Sequence, residues 1–393
     1  MEPILYLART NTRANYRRFG IKHGDRFSHL YLLGRTGTGK TTLIETMAIQ
    51  DIRAGRGICV IDPHGDLVYR LKNAIPKNRE RDLIWFDAPD PSQPYGYNPL
   101  RRVSPRLVPL AASGLLDAFH KIWKHEWGVR MEHVLRNALL ALIEYGDATL
   151  PDVLRILTDI GFRRTVLAKI TNTQVRAYWI GEYPKLNPRY RQESIAPIQN
   201  KIGAFLADPR LYRMLTKPDS DIRLRSVMDS GRILLVNLAK GALGDDTASL
   251  LGALLVSSLA LAAFSRIDTP EERRPDFFLY LDEFQNFTTL SVANMISEMR
   301  KFRVSLTLAN QHLAQLDPDV QHAVLGNAGT LIVFRIGAED ATVISREFMP
   351  TFEPEDLISL PNFTIYLKLL IDRGPSKPFS ATTLRPGDLG LAN

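Results

Sequence analysis

Hydrophobic residues along this chain follow two rhythms. The first consists of short and nearly unbroken apolar runs: residues 30–33, 57–61, 83–86, 232–238, 277–281, 304–308, 331–335 and 365–371. Runs of that length, separated by helical stretches, predict strands buried on both faces, hence a mainly parallel sheet with helices over it. In the second rhythm apolar positions recur at helical spacing, in 131–145, 150–157 and 194–206, and no strand stands out between 103 and 228. The pattern therefore predicts an α/β domain interrupted by an all-α insertion: a lead-in over 1–28, a first α/β half over 29–102, the insertion over 103–228 and a second half over 229–393. Residues 247–265 carry no charge and are nearly long enough to span a bilayer. Thr247, Ser249, Gly252, Ser257 and Ser258 dilute them, and strand-like runs flank them, so they are expected to be a helix buried on a sheet face.

Composition changes this picture little. A chain of 393 residues has room for two or three domains. The single cysteine, Cys59, lies inside an apolar run, which suits a core residue in a reducing compartment rather than a disulfide framework. The first residues hold too short an apolar segment for a signal peptide or membrane anchor.

Charge adds more. The net +8 is uneven: residues 101–228 hold 21 Lys and Arg against 12 Asp and Glu, so the predicted insertion carries +9 and the rest −1. A second basic cluster comprises Arg9, Arg13, Arg17, Arg18, Lys22 and Arg26. A basic lobe beside a near-neutral core suits a polyanionic partner such as nucleic acid, although surplus cations also serve solubility.

The chemistry is concentrated at the ends of the predicted strands. Gly34-Arg35-Thr36-Gly37-Thr38-Gly39-Lys40-Thr41 fits GxxxxGK[ST], follows one apolar run and opens a helix through Thr42. Glycines let the backbone turn its N–H groups toward phosphate oxygens, and the helix start adds a positive dipole end. Lys40 would reach the β- and γ-phosphates of ATP, and the Thr41 hydroxyl would ligate Mg2+. The run 277–281 leads into Asp282 and Glu283, which places both acids at the strand edge where open α/β sheets bind ligands. Asp282 would hold Mg2+, and Glu283 would polarise the attacking water. Gln311 emerges at the same edge and could sense the γ-phosphate. Arg300 is either a solvated helix-end charge or an arginine finger reaching a neighbour's site in a ring, with Arg335 as its rival. Asp62, in Asp62-Pro63-His64-Gly65-Asp66, either braces the glycine loop or belongs to a plain turn with a helix cap at Asp66. The histidines His120, His125 and His133 have no metal-binding spacing. Trp123, Trp127, Tyr178 and Trp179 are expected in the core rather than stacked on bases.

Taken together, GRTGTGKTT, IDPHGD, YNPL, YLDEFQNF, the Glu298-Met299-Arg300-Lys301 segment, LANQ and VFRIGAEDA resemble the conjugative type IV secretion coupling ATPases of the TraG/TraD kind, within the HerA/FtsK superfamily. The resemblance implies a RecA-like P-loop NTPase interrupted by an all-α domain and a homohexamer gripping single- or double-stranded DNA. It implies ATP hydrolysis that drives translocation toward a membrane channel, with relaxase and channel components as partners. It also matches Arg300 to the family's trans-acting arginine and Gln311 to its sensor glutamine. Such coupling proteins usually begin with membrane-spanning helices, and none is read here. A cytoplasmic location is therefore expected, peripheral to the inner face of the membrane, with membrane contact only through a partner. The alternatives are a HerA-type DNA-processing motor, which usually carries an N-terminal β-barrel that 28 residues cannot supply, and a secretion assembly ATPase acting on protein. A nucleotide-gated docking platform is disfavoured by the intact Lys40, Asp282 and Glu283.

Overall fold

The computed structural model describes residues 3–11, 16–124, 127–217 and 220–391. Arg13 and His125 lie outside the described residues. The chain divides into two compact units, one of Met1–Asp87, Arg225–Gly241 and Arg266–Asn393, the other of Ala88–Leu224 and Ala242–Ser265.

The first unit is built on an 11-stranded sheet. Its strands are β1 (Ile4–Thr10), β2 (Arg18–Lys22), β3 (Leu30–Leu33), β4 (Gly57–Asp62), β5 (Leu83–Asp87), β6 (Ile233–Asn237), β7 (Phe277–Leu281), β8 (Val304–Asn310), β9 (Thr330–Val333), β10 (Thr364–Lys368) and, after a small β11 (Leu370–Ile371) and β12 (Gly374–Pro375) ribbon, β13 (Phe379–Thr383). The order is β2-β1-β13-β10-β9-β3-β8-β7-β4-β6-β5. From β9 to β5 every pairing is parallel; from β9 outward through β10, β13 and β1 to β2 every pairing is antiparallel. Burial follows this division. β3, β4, β6, β7, β8 and β9 are buried at every position, as strands covered on both faces must be. β1 and β10 alternate.

The expected lead-in is thereby corrected. Residues 4–10 and 18–22 are the outermost strands of the sheet, with Leu5, Leu7, Ala8 and Ile21 at most 1% exposed. Gly20 allows the pairing: a Cβ there would lie 1.9 Å from the Leu5 carbonyl oxygen, beside a register shift between Tyr6 and Ala8. The basic cluster shrinks in the same way, because Arg26 is wholly buried and Lys22 pairs with Asp372.

Helix α1 (Lys40–Arg53) returns from the end of β3 and buries Leu43, Ile44, Met47, Ala48 and Ile52 against Leu30, Leu32, Val60, Phe278 and neighbours in one core. Each of the leucine, isoleucine and methionine side chains is worth about 1.5–3 kcal/mol of apolar burial, which fixes the helix to the sheet. Helix α2 (Asp66–Asn73) follows β4.

The second unit is helical, with Val108–Ile122, Val129–Tyr145, Asp152–Thr158, Ile160–Lys169, Pro188–Leu206 and Pro209–Leu215 among its helices. The long apolar helix Asp245–Ser265 belongs here and packs on Val108–Ile122, a correction to its expected place on the sheet. By length and composition it could cross a membrane, but 67% of its apolar window is buried. Its hydroxyls are used inside the unit: Ser257 donates to the Gly114 carbonyl and Ser258 bonds the Tyr97 hydroxyl. Trp123, Tyr178 and Trp179 are buried, as expected of core residues, and Trp127 donates to Glu132. Much of the basic surplus is spent locally. Arg101 pairs with Asp221, Arg136 with Glu132, Arg155 with Asp152, and Arg210 with Asp208. Arg163, Arg176, Arg191 and Arg213 donate to backbone carbonyls.

Candidate active site

Parallel register brings the carboxyl ends of β3, β8, β7 and β4 to one rim: Leu33 lies opposite Asn310, Leu281 opposite Leu308 and Ile61. At that rim Gly34–Gly39 turn from β3 into α1. Gly37 (φ 77°) and Gly39 (φ 122°) take left-handed backbone that disfavours a side chain. A Cβ on Gly34 would sit 2.6 Å from that of Phe334. The loop is pinned from both sides: Gly34 N–H donates to the Asn310 carbonyl, Arg35 N–H to that of Arg335, Thr38 Oγ1 to that of Arg35, and Phe363 N–H to that of Thr38. Thr36 and Arg35 face outward, and Thr42 lies in the first turn of α1.

Lys40 is 4% exposed and donates to the carbonyls of Gly34 and Arg35. Its Nζ lies 3.9 Å from Glu283 Oε1. Burial pulls the Lys40 ammonium below its ordinary range, opposed by the charges of Glu283 and Asp282. Thr41 Oγ1 donates to Asp282 Oδ2 at 2.9 Å. Asp282 is pushed up to about 6, first by burial, then by Glu283 and Asp62, against the Thr41 hydrogen bond and the charge of Lys40.

Glu283 is held with unusual care. Its backbone is left-handed (φ 49°, ψ 48°), a conformation that costs a non-glycine residue of order 1–2 kcal/mol. Asn286 secures it by donating from Nδ2 and N–H to the Glu283 carbonyl, and Lys240 Nζ donates to Asn286 Oδ1. The carboxylate receives Gln311 Nε2 on Oε1 at 2.9 Å and Gln285 Nε2 on Oε2 at 2.7 Å.

Lys40, Thr41, Asp282, Glu283 and Gln311 therefore meet at one place. Arg300 does not. It is exposed in the 3-10 turn Met299–Phe302, with Nη1 3.5 Å from the hydroxyl of Ser28, ahead of β3 and at the opposite rim from Gly34. Arg335 lies at the loop's own rim, tied to the Leu360 carbonyl and Asn362. Asp62 accepts from the amides of His64, Leu67 and Val68, so it belongs to the turn and to the start of α2. Asp66, expected as the cap, is the first residue inside that helix, and Gly65 takes the cap position. Sequence reasoning missed Gln285, Asn286 and Lys240; the two amide side chains between Phe284 and Phe287 were the available signal for the first two.

A glycine loop between strand and helix, facing paired acids that end a strand two places away in a mainly parallel sheet, defines a RecA-like P-loop fold. Within that class the chain resembles the conjugative coupling and type IV secretion ATPases. A family described as the TraM recognition site of TraD and TraG matches residues 276–348. The bacterial conjugative coupling protein TrwBdeltaN70, unbound, matches over 98% of this chain and 94% of its own (TM-score 0.67, 17% identity). TrwB in complex with ADP and Mg2+ matches over 98% and 96% (0.66, 17%). VirB4 of Thermoanaerobacter pseudethanolicus matches over 99% of both chains (0.64, 13%). No curated protein matches at the level of sequence. At these identities the structural likeness establishes the fold.

Proposed function

We propose that the chain is an ATP-hydrolysing motor of coupling-protein type that moves DNA in conjugative or type IV secretion transfer. The observation that carries this reading is the juxtaposition of Lys40, Thr41, Asp282 and Glu283 at one sheet rim. These residues fit a magnesium nucleotide: a buried carboxylate whose ionised form is disfavoured gains from a cation beside it, and the threonine hydroxyl offers a second oxygen. Thr41 and Asp282 would hold Mg2+, which when bound draws charge from the phosphoryl oxygens. The loop amides and Lys40 bind the β- and γ-phosphates. Glu283 takes a proton from the attacking water, and Gln311, already bonded to it, orients that water.

Arg300 acts in trans. The six residue steps from Ser28 to Gly34 span about 20 Å in extended form, so an arginine beside Ser28 is out of reach of its own loop. A homohexameric ring would bring it to the next copy, and Arg335, at its own chain's rim, serves in cis. Exposed cations of the helical unit such as Arg106, Arg164, Lys185 and Arg223, which have no ion pair among the described residues, supply contacts to DNA phosphates. Relaxase and channel proteins would be partners of a cytoplasmic motor peripheral to the inner face of the membrane. ATPase rate measured with single- and double-stranded DNA, with mass in parallel, tests this reading: stimulation by DNA and a six-chain mass are expected. A second reading, a secretion assembly ATPase acting on protein, is favoured by the local use of many of the helical unit's cations. A rate indifferent to DNA, with binding to channel subunits, would select it.

A further inference from the structure

The first unit encloses a polar cluster that this chemistry leaves unused. Arg26, in the 3-10 turn Gly24–Ser28, is wholly buried. Its Nη1 and Nη2 donate to the two carboxylate oxygens of Asp51, each at 2.7 Å, and Nη2 also donates to the Tyr280 hydroxyl at 2.9 Å. That hydroxyl donates in turn to Asp51 Oδ2 at 2.5 Å. Arg56, at the edge of the cluster, donates to Asp51 Oδ1, and the Arg26 guanidinium lies 3.7 Å from the centre of the Phe278 ring. Burying such a network gains little over apolar side chains of the same volume, since desolvating the charges offsets their attraction. Stability alone therefore does not account for it.

Its placement does. Asp51 lies near the end of α1, and Thr41 lies at its start, ten residues or about 15 Å away. Tyr280 and Asp282 are two residues apart where β7 ends, so their side chains point to the same side. Asp282 accepts from Thr41, and Tyr280 donates to Asp51. The loop helix is thus tied to one strand at both ends, and Arg26 clamps the far tie to the segment that leads into β3. Ser305 Oγ of β8 donates to the Arg26 carbonyl and holds that segment in place. A slip or rotation of α1 at its base would change the separation of Thr41 from Asp282.

We infer that Arg26, Asp51 and Tyr280 are positioning residues that fix the loop helix against the strand carrying Asp282, and so set the metal-binding half of the site. The inference rests on the nucleotide-site reading above. Its test is the triple variant Arg26→Met, Asp51→Leu, Tyr280→Phe, compared with the wild type in thermal unfolding, in ADP affinity with and without Mg2+ by calorimetry, and in kcat and KM for ATP. Apolar replacement should keep the melting temperature at or above that of the wild type. ADP affinity without Mg2+ should stay within about twofold, because loop amides and Lys40 provide it. The gain in affinity on adding Mg2+ should fall by about tenfold, and kcat by up to about a hundredfold with KM little changed, as expected for a misplacement near 1 Å. A triple variant that folds and keeps both the wild-type Mg2+ gain and the wild-type kcat overturns the inference. If the triple variant does not fold, Tyr280→Phe alone, which keeps the Arg26 to Asp51 pair, must lower the Mg2+ gain, and an unchanged gain overturns the inference equally. A wild-type chain whose ADP affinity ignores Mg2+ would instead overturn the nucleotide-site reading, and the inference with it.

Discussion

Asp282 is a buried carboxyl held at a cost in stability. Its folded-state carboxyl titrates near 6 against 3.8 for the free group, so the folded chain binds that proton more tightly than the unfolded one. The ionised carboxylate therefore costs stability. The cost is absent below about pH 4, grows through the interval and is complete above about pH 6, where it is on the order of 3 kcal/mol. His29 works in the opposite sense. Burial lowers its imidazole from 6.5 to about 4, so its stabilising contribution is complete above 6.5 and is lost as pH falls toward 4. Comparing Asp282→Asn with the wild type at each pH cancels the His29 effect. The expected result is a variant that melts higher than the nucleotide-free wild type at pH 8, with the difference closing toward pH 4, and that has lost turnover. A variant no more stable than wild type at pH 8 would contradict this assignment. Lys40 and Thr41 were legible in the sequence because the spacing of the glycine loop is imposed by phosphate geometry, and Asp282 and Glu283 because an apolar run leads directly into them. Gln285, Asn286 and Lys240 were not, because what joins them to Glu283 is a left-handed turn and a contact from a distant strand end.

At the scale of elements, burial decided what could be read. The parallel strands are covered on both faces and therefore appear as continuous apolar runs, which periodicity detects. β1, β2 and β13 are edgeward antiparallel strands in which apolar, charged and small residues mix, and Gly20 breaks the pattern of β2 for the sake of a close approach to Leu5. The helix Asp245–Ser265 was recognisable as a buried helix from its composition, whereas its membership in the helical unit depends on long-range packing that no local pattern records. A prediction separates a lead-in from a structural strand. Leu7 is fully buried, so Leu7→Ala should lower unfolding free energy in urea by about 2–5 kcal/mol. A loss below about 0.5 kcal/mol, the range of surface substitutions, would return residues 4–10 to the status of an appendage.

For the whole molecule, the surplus charge read from the sequence is smaller in effect than in count, since ion pairs and carbonyl contacts occupy many of the helical unit's arginines. The exposed remainder makes a quantitative prediction. DNA-stimulated hydrolysis should weaken steeply with salt, and replacing Arg106, Arg164, Lys185 and Arg223 with alanine should flatten the dependence of DNA affinity on salt by about 0.7–0.9 in log–log slope for each phosphate contact removed. An unchanged slope would place the DNA on another surface. Glu283→Gln asks whether the rim that holds Lys40 and the acid pair hydrolyses ATP. In a single-turnover experiment with radiolabelled ATP and Mg2+, the wild type should release phosphate, while the variant should retain uncleaved ATP through gel filtration with kcat lowered at least about a hundredfold. Steady-state hydrolysis by the variant at the wild-type rate would contradict a hydrolytic role for Glu283 and this rim.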